Sequence, residues 1–225
     1  LTEEDRALLN KLLGNPREYP AAMKEWLPDW LALNLPNMPI SQFIGYQRFV
    51  TNKGTTFPTN PLDTQRFVLQ VDVANGVNWT LAYDNAISDA YKWTYGGGAP
   101  LSHTVATEQS TTSTSYTDLA TVGPTVTVPK AGVYRVDYGA TLQNSVRDSD
   151  TVVGVHYGST PVDGEAIQAE GIVISGSVIR TSQSRSIVVT VTAASQAVKL
   201  QYKVGSGTGT FRNRWIIVTP IRVSS

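Results

Sequence analysis

Apolar and polar positions along this 225-residue chain follow two different periods. In the first fifty residues the apolar positions recur at helical spacing. Leu8, Leu9, Leu12 and Leu13 form a narrow stripe of the kind that covers one face of a short helix. Thr2 ahead of Glu3, Glu4 and Asp5 supplies a cap and acidic groups for the positive first turn. Gly14 and Pro16 end the element. A second helix is expected to start at Pro20 and run through Met23, Trp26 and Leu27, with Pro28 kinking or ending it before Trp30 and Leu31. Helices this short are marginal alone in water. Leu8, Leu12, Trp26, Leu27 and Trp30 therefore need a surface to dock on, in this chain, a second copy or a partner.

Past a Pro-, Thr- and Gly-rich loop the period changes to two. Phe67, Leu69, Val71 and Val73 alternate with polar residues over 65–73, and Val77, Trp79, Leu81 and Tyr83 alternate again after Asn75-Gly76. Asn-Gly readily takes the positive backbone angles of a tight hairpin turn. Tyr91, Trp93 and Tyr95 make a third strand, so 75–101 reads as part of an aromatic-rich antiparallel meander. Gly96-Gly97-Gly98 with Pro100 reads as a hinge, because no Gly-Lys-Ser and no helix follows to make a phosphate loop.

From Leu101 onward strands and turn signals alternate to the end. Strands are expected at 102–107, 120–128, 133–142, 151–157, 165–175, 177–183 or nearby, 186–192, 197–204 and 214–223, with the fifth and sixth open to being one bent strand and 110–117 a loop. Tyr134, Val136, Tyr138, Ala140 and Leu142 share one face of their strand, and Val198, Leu200, Tyr202 and Val204 share another. Two such faces bury each other as sheets roughly 10 Å apart. The expected class is mainly β. Residues 1–50 form a helical segment, 51–100 an antiparallel meander with its Gly/Pro hinge, and 101–225 a jelly-roll-like β-sandwich.

Composition narrows the function. Lys and Arg total 18 and so do Asp and Glu, which leaves no net charge to attract a nucleic acid and favours self-association. Cysteine is absent, which removes disulfides, thiolate metal sites and a thiol nucleophile. No apolar run approaches the ~20 residues of a membrane span, and the first residues lack the pattern of a secretory leader.

Candidate chemistry is sparse. His103 and His156 are the only histidines, both on expected strands. No Gly-x-Ser-x-Gly elbow marks a nucleophile. Asp148, Asp150, Asp163 and Glu165 sit on expected loops and offer oxygen ligands, but Arg147 stands among them and solvated loops are the plainer reading. No catalytic residue, cofactor or metal is assigned. The aromatics Trp79, Tyr83, Tyr91, Trp93 and Tyr95 are read as core or trimer packing before sugar stacking. Candidate recognition residues lie instead on three loops: Asn144, Arg147, Asp148 and Asp150; Thr160 and Asp163; Ser206 and Thr208. Loops on a rigid sandwich carry recognition without disturbing its core.

The stretch NGVNWTLAYDNAISDAYKWTYGGGAPL resembles a segment found in structural proteins of tailed bacteriophages, especially of actinobacterial hosts. Asn75, Gly76, Val77, Trp79, Leu81, Tyr83, Tyr91, Lys92, Trp93, Gly97, Pro100 and Leu101 carry the match, with Pro39-Ile40-Ser41-Gln42 and Ile44-Gly45 upstream. TVTVPKAGVYRVDYGA and FRNRWIIVTPIRV are similar to jelly-roll tips of phage fibres and minor tail proteins, and more loosely to trimeric C1q/TNF-type jelly rolls. The resemblance implies a non-enzymatic virion protein, a homotrimer whose N-terminal helices anchor among other virion proteins. Its jelly roll would then be exposed to a host-surface glycan or protein. The alternatives are a capsid decoration or head-spike protein, and an enzyme degrading envelope polysaccharide. None of these readings has the chain bind nucleic acid or insert in a membrane.

Overall fold

The computed structural model describes residues 52–174 and 177–225. The helices expected before residue 50, with Leu8, Leu12, Trp26, Leu27 and Trp30, lie outside the described residues. What is described is β-structure arranged mainly in two sheets.

The larger sheet has nine strands. It begins with β1 (Asn52–Gly54), parallel to β2 (Arg66–Asp72). The hairpin partner β3 (Val77–Tyr83) and then β4 (Trp93–Gly98) follow. Next comes the long last strand β15 (Gly209–Val223), flanked on its other edge by β8 (Gly132–Asn144) and finally β13 (Thr181–Val191). Two further strands, β5 (Leu101–Val105) and β6 (Gln109–Thr111), pair with β15 on the edge that β4 occupies farther along. The smaller sheet runs β10 (Ile167–Glu170), β9 (Asp150–His156), β14 (Gln196–Val204), β7 (Thr125–Val128). A two-stranded ribbon of β11 (Val173–Ile174) and β12 (Ser177–Val178) completes the set.

The alternation seen in the sequence is what the two sheets bury. Phe67 faces Leu81 and Leu69 faces Trp79 across the first hairpin. Tyr134, Val136 and Tyr138 from β8 join Ile216 and Val218 from β15, and Val198, Leu200 and Tyr202 from β14 close the same core from the smaller sheet. Trp79 and Trp93 are fully buried in this cluster. Phe57 stacks on Trp93 at 4.5 Å between ring centroids, and the Trp79 indole donates to the Ala99 carbonyl at 2.9 Å. These two tryptophans are thus satisfied within one chain and need no second copy.

Four local expectations are corrected. The triple glycine is not a hinge: Gly97 and Gly98 extend β4 and pair with Thr80 and Trp79. Gly98 has φ +130°, and a Cβ there would run into the Asn78 carbonyl, so glycine lets the two strands close up. Within 110–117, residues 110–111 belong to β6, because β15 begins five residues earlier than the alternation suggests. The slip has a physical cause: a register shift between Arg212 and Trp215 separates Phe211 and Arg214, both inward, by three residues. The strands expected at 177–183 and 186–192 are largely one, β13, whose polar first half hides it. The single strand expected over 165–175 is broken at Gly171 into β10 and β11.

Candidate functional site

The first and third candidate loops meet, and one buried amide joins them. Asn144, at the end of β8, is fully buried. Its Nδ2 donates to the Asp150 carbonyl at 3.1 Å and the Ser206 carbonyl at 3.2 Å, while its Oδ1 accepts the Val146 N–H at 2.9 Å. Ser149 Oγ donates to the Ser206 carbonyl and accepts the Ser206 N–H at 2.8 Å. Thr208 N–H donates to Ser145 Oγ at 2.9 Å, and Ser145 N–H returns to the Thr208 carbonyl at 3.0 Å. Asn144, Asp150, Ser206 and Thr208 therefore build a fixed frame. Arg147 and Asp148 project from it, their side chains 73% and 80% exposed and 3.6 Å apart. Beside them the frame exposes Val146, Ile172 and Ile179.

The second loop lies elsewhere, over the outward side of the smaller sheet. Asp163 accepts from the Tyr116 hydroxyl at 2.9 Å and pairs with Lys203 Nζ at 2.7 Å. The ammonium also stands 4.9 Å over the Tyr116 ring. Tyr116 and Pro161 sit against Gly154 of β9, where any larger residue would displace them. The Lys203 and Tyr116 hydrogen bonds hold the Asp163 carboxyl below its usual range. Burial, followed by the hydrogen bond to Asp163, pushes the Tyr116 phenol up. Of this loop's candidates Thr160 is exposed, whereas Asp163 is a fastening.

Among the described residues neither histidine is joined to a nucleophile. His103 Nδ1 accepts the Thr125 N–H at 2.9 Å, tying β5 to β7 beside a groove of about 560 Å³ that Asp72, Val73, Leu101 and Ser195 also line. His156 Nδ1 is buried without a hydrogen-bond partner among the described residues. Among those residues no group of three His, Cys, Asp or Glu could hold a metal. Asp163 is tied to Lys203, away from the frame that holds Asp150.

Sequence reasoning did not single out Arg214, which is fully buried. Its guanidinium donates to the carbonyls of Gly123 and Thr107 and to Gln109 Oε1 at 3.2–3.3 Å, and it lies 5.4 Å over the Tyr202 ring. The available signal was its place in an apolar strand where an inward hydrophobe would be ordinary.

No family model matches the chain, and no curated protein matches it. Among solved structures the chain is similar to an Eiger TNF from S. frugiperda, at 10% identity and a TM-score of 0.39 over 56% of this chain and 96% of that one. It is similar to the infectious bursal disease virus VP2 subviral particle, at 13% identity and a TM-score of 0.34 over 67% of this chain and 43% of that one. A third likeness is to a carbohydrate binding module from Cellvibrio mixtus lichenase 5A, at 19% identity and a TM-score of 0.28 over 52% of this chain and 95% of that one.

Proposed function

We propose that this chain is a non-enzymatic structural protein of a tailed-phage virion. In this reading it is a homotrimer anchored through residues 1–50, presenting a jelly roll for adsorption to the host surface. The observation that carries the fold half of the reading is the strand order. β5 and β6, β15, β8 and β13 form one layer, and β7, β14, β9 and β10 the other, the Greek-key alternation of a jelly roll. The phage-like stretch from Asn75 to Leu101 supports the setting, because it continues the larger layer through β3 and β4.

The frame around Asn144 supports adsorption over a purely internal role. Its loops are fixed before any partner arrives, so little conformational freedom is lost on contact. Residues 144–150 and 205–208 contain no aromatic side chain, which favours a protein receptor over a stacked sugar.

The experiment is to locate the tagged chain in intact particles by electron microscopy and count its copies. A few copies at the tail tip or fibres is the expected result. Many copies spread over the shell would replace adsorption with capsid decoration. Loss of host glycan on incubation with the purified chain would revive an enzyme.

A further inference from the structure

The larger sheet turns one face into the core and the other outward, and the outward face has an unusual surface for a free domain. One row crosses four strands as Thr104, Trp215, Gly139 and Ser184. The Trp215 indole lies down on the glycine: a Cβ at Gly139 would stand 2.7 Å from its Nε1 and 2.8 Å from its Cε2. The ring is therefore laid along the sheet, half-buried. Ile217 follows two residues on, and Val188 on β13 is 59% exposed. The charges on this face are paired within the chain, Arg135 with Asp137 at 2.9 Å, Arg222 with Asp89 at 2.8 Å and Arg212 with Glu108 at 4.0 Å.

Beside this face runs an edge. Among the described residues β13 ends the strand order and pairs only with β8, and all residues from Ser182 to Ser186 are exposed, on both sides of the pleat. Free edges are normally guarded by lysine, proline or a bulge, because unpaired backbone groups recruit other chains. β13 has no lysine or proline, and its pairing runs without a register shift over eleven residues. Its one cation, Arg185, is turned to the Ala166 carbonyl at 3.0 Å.

We infer that this face and the β13 edge form the surface through which copies of the chain meet, an inference that rests on the homotrimer reading. A surface whose charges are each paired within one copy can lie against its own copy with little like-charge repulsion. A half-buried indole among hydroxyls would also suit a neutral sugar ring. An unguarded edge of backbone groups is better matched by another polypeptide.

The test uses the full chain. Its mass in solution is measured by light scattering for the wild type, for Val188→Lys with Ile217→Lys, and for Val162→Lys as an exposed control elsewhere. Amide hydrogen exchange is followed in each at the 181–191 amides that point away from β8, which only a neighbouring copy would protect. The wild type is expected to be oligomeric with slow exchange along β13. The double variant should keep its circular dichroism, associate roughly tenfold or more weakly, and exchange rapidly along β13, while the control is unchanged. An oligomeric wild type with fast β13 exchange, or slow exchange that persists in the double variant, overturns the assigned surface and leaves the trimer standing. A monomeric wild type overturns both, including where neutral oligosaccharides quench its tryptophan fluorescence.

Discussion

Arg214 shows how much one side chain can organise. A buried guanidinium is costly unless its donors are met, and here carbonyls from two separate connections, at Thr107 and Gly123, share them. The Tyr202 hydroxyl donates to the same Gly123 carbonyl at 2.7 Å, and burial pushes that phenol up to about 12. The cation thus pins the segments entering β6 and β7 to the inside of β15. Removing it takes the donor from the Thr107 carbonyl, while the Gly123 carbonyl keeps Tyr202 and Gln109 Oε1 keeps the Thr121 N–H; a buried acceptor left unpaired costs about 1–3 kcal/mol. Arg214→Ala and the better-filling Arg214→Met are both expected to lose about 1–3 kcal/mol in urea denaturation. A methionine variant as stable as the wild type would mean the carbonyls hold their places unaided. The same residue marks a limit of sequence reading. Its alternation with Ile216 and Val218 is plain once the slip after Arg212 is known, but the slip is set by pairing with β8, a partner some seventy residues away.

At the scale of elements, the Tyr116–Asp163–Lys203 clamp makes a pH-dependent prediction. Asp163 has a folded-state pKa below that of the unfolded chain. Its contribution is therefore fully present above the unfolded value of about 3.9 and is lost as pH falls through the lower folded value. Acidification should release residues 157–166 from the smaller sheet. The Tyr116 ring signals in an NMR titration should move with that release, and Asp163→Asn should show the released spectrum at neutral pH. A pH-independent Tyr116 would show that Pro161 and Gly154 packing suffices. Elements carrying a clean two-residue period, such as β2, β3, β8 and β14, were legible from sequence. Where polarity masked the period, as in Thr181 to Ser186, or glycine replaced the side chains, as in Gly96 to Gly98, the strands exist because a neighbour pairs with them. The candidate loops were legible as loops. That Asn144 would join the first to the third, while Asp163 fastened the second elsewhere, depends on contacts 62 and 40 residues apart.

For the whole molecule, the decisive question is whether the β-structure stands without the first fifty residues. Among the described residues the core cluster runs from Phe67 to Val223 and draws on both sheets. Phe57 closes it over Trp93 and is itself covered by Lys130 Nζ at 4.9 Å. β1 pairs with β2 from Asn52 to Gly54, so a chain starting at Thr51 keeps every strand described. The 51–225 fragment is therefore expected to fold, with a single cooperative thermal transition and a β-type circular dichroism spectrum. The stripe of Leu8 and Leu12 and the pair Trp26 and Trp30 would then be left to attachment. Particles assembled with the fragment in place of the full chain should lack it, while still forming. A fragment that is unfolded would place residues 1–50 in the fold itself, and a folded fragment that still enters particles would move the anchor into the β-structure. Either result would redirect the search for the attachment surface, the second toward the groove between Val73 and Ser195.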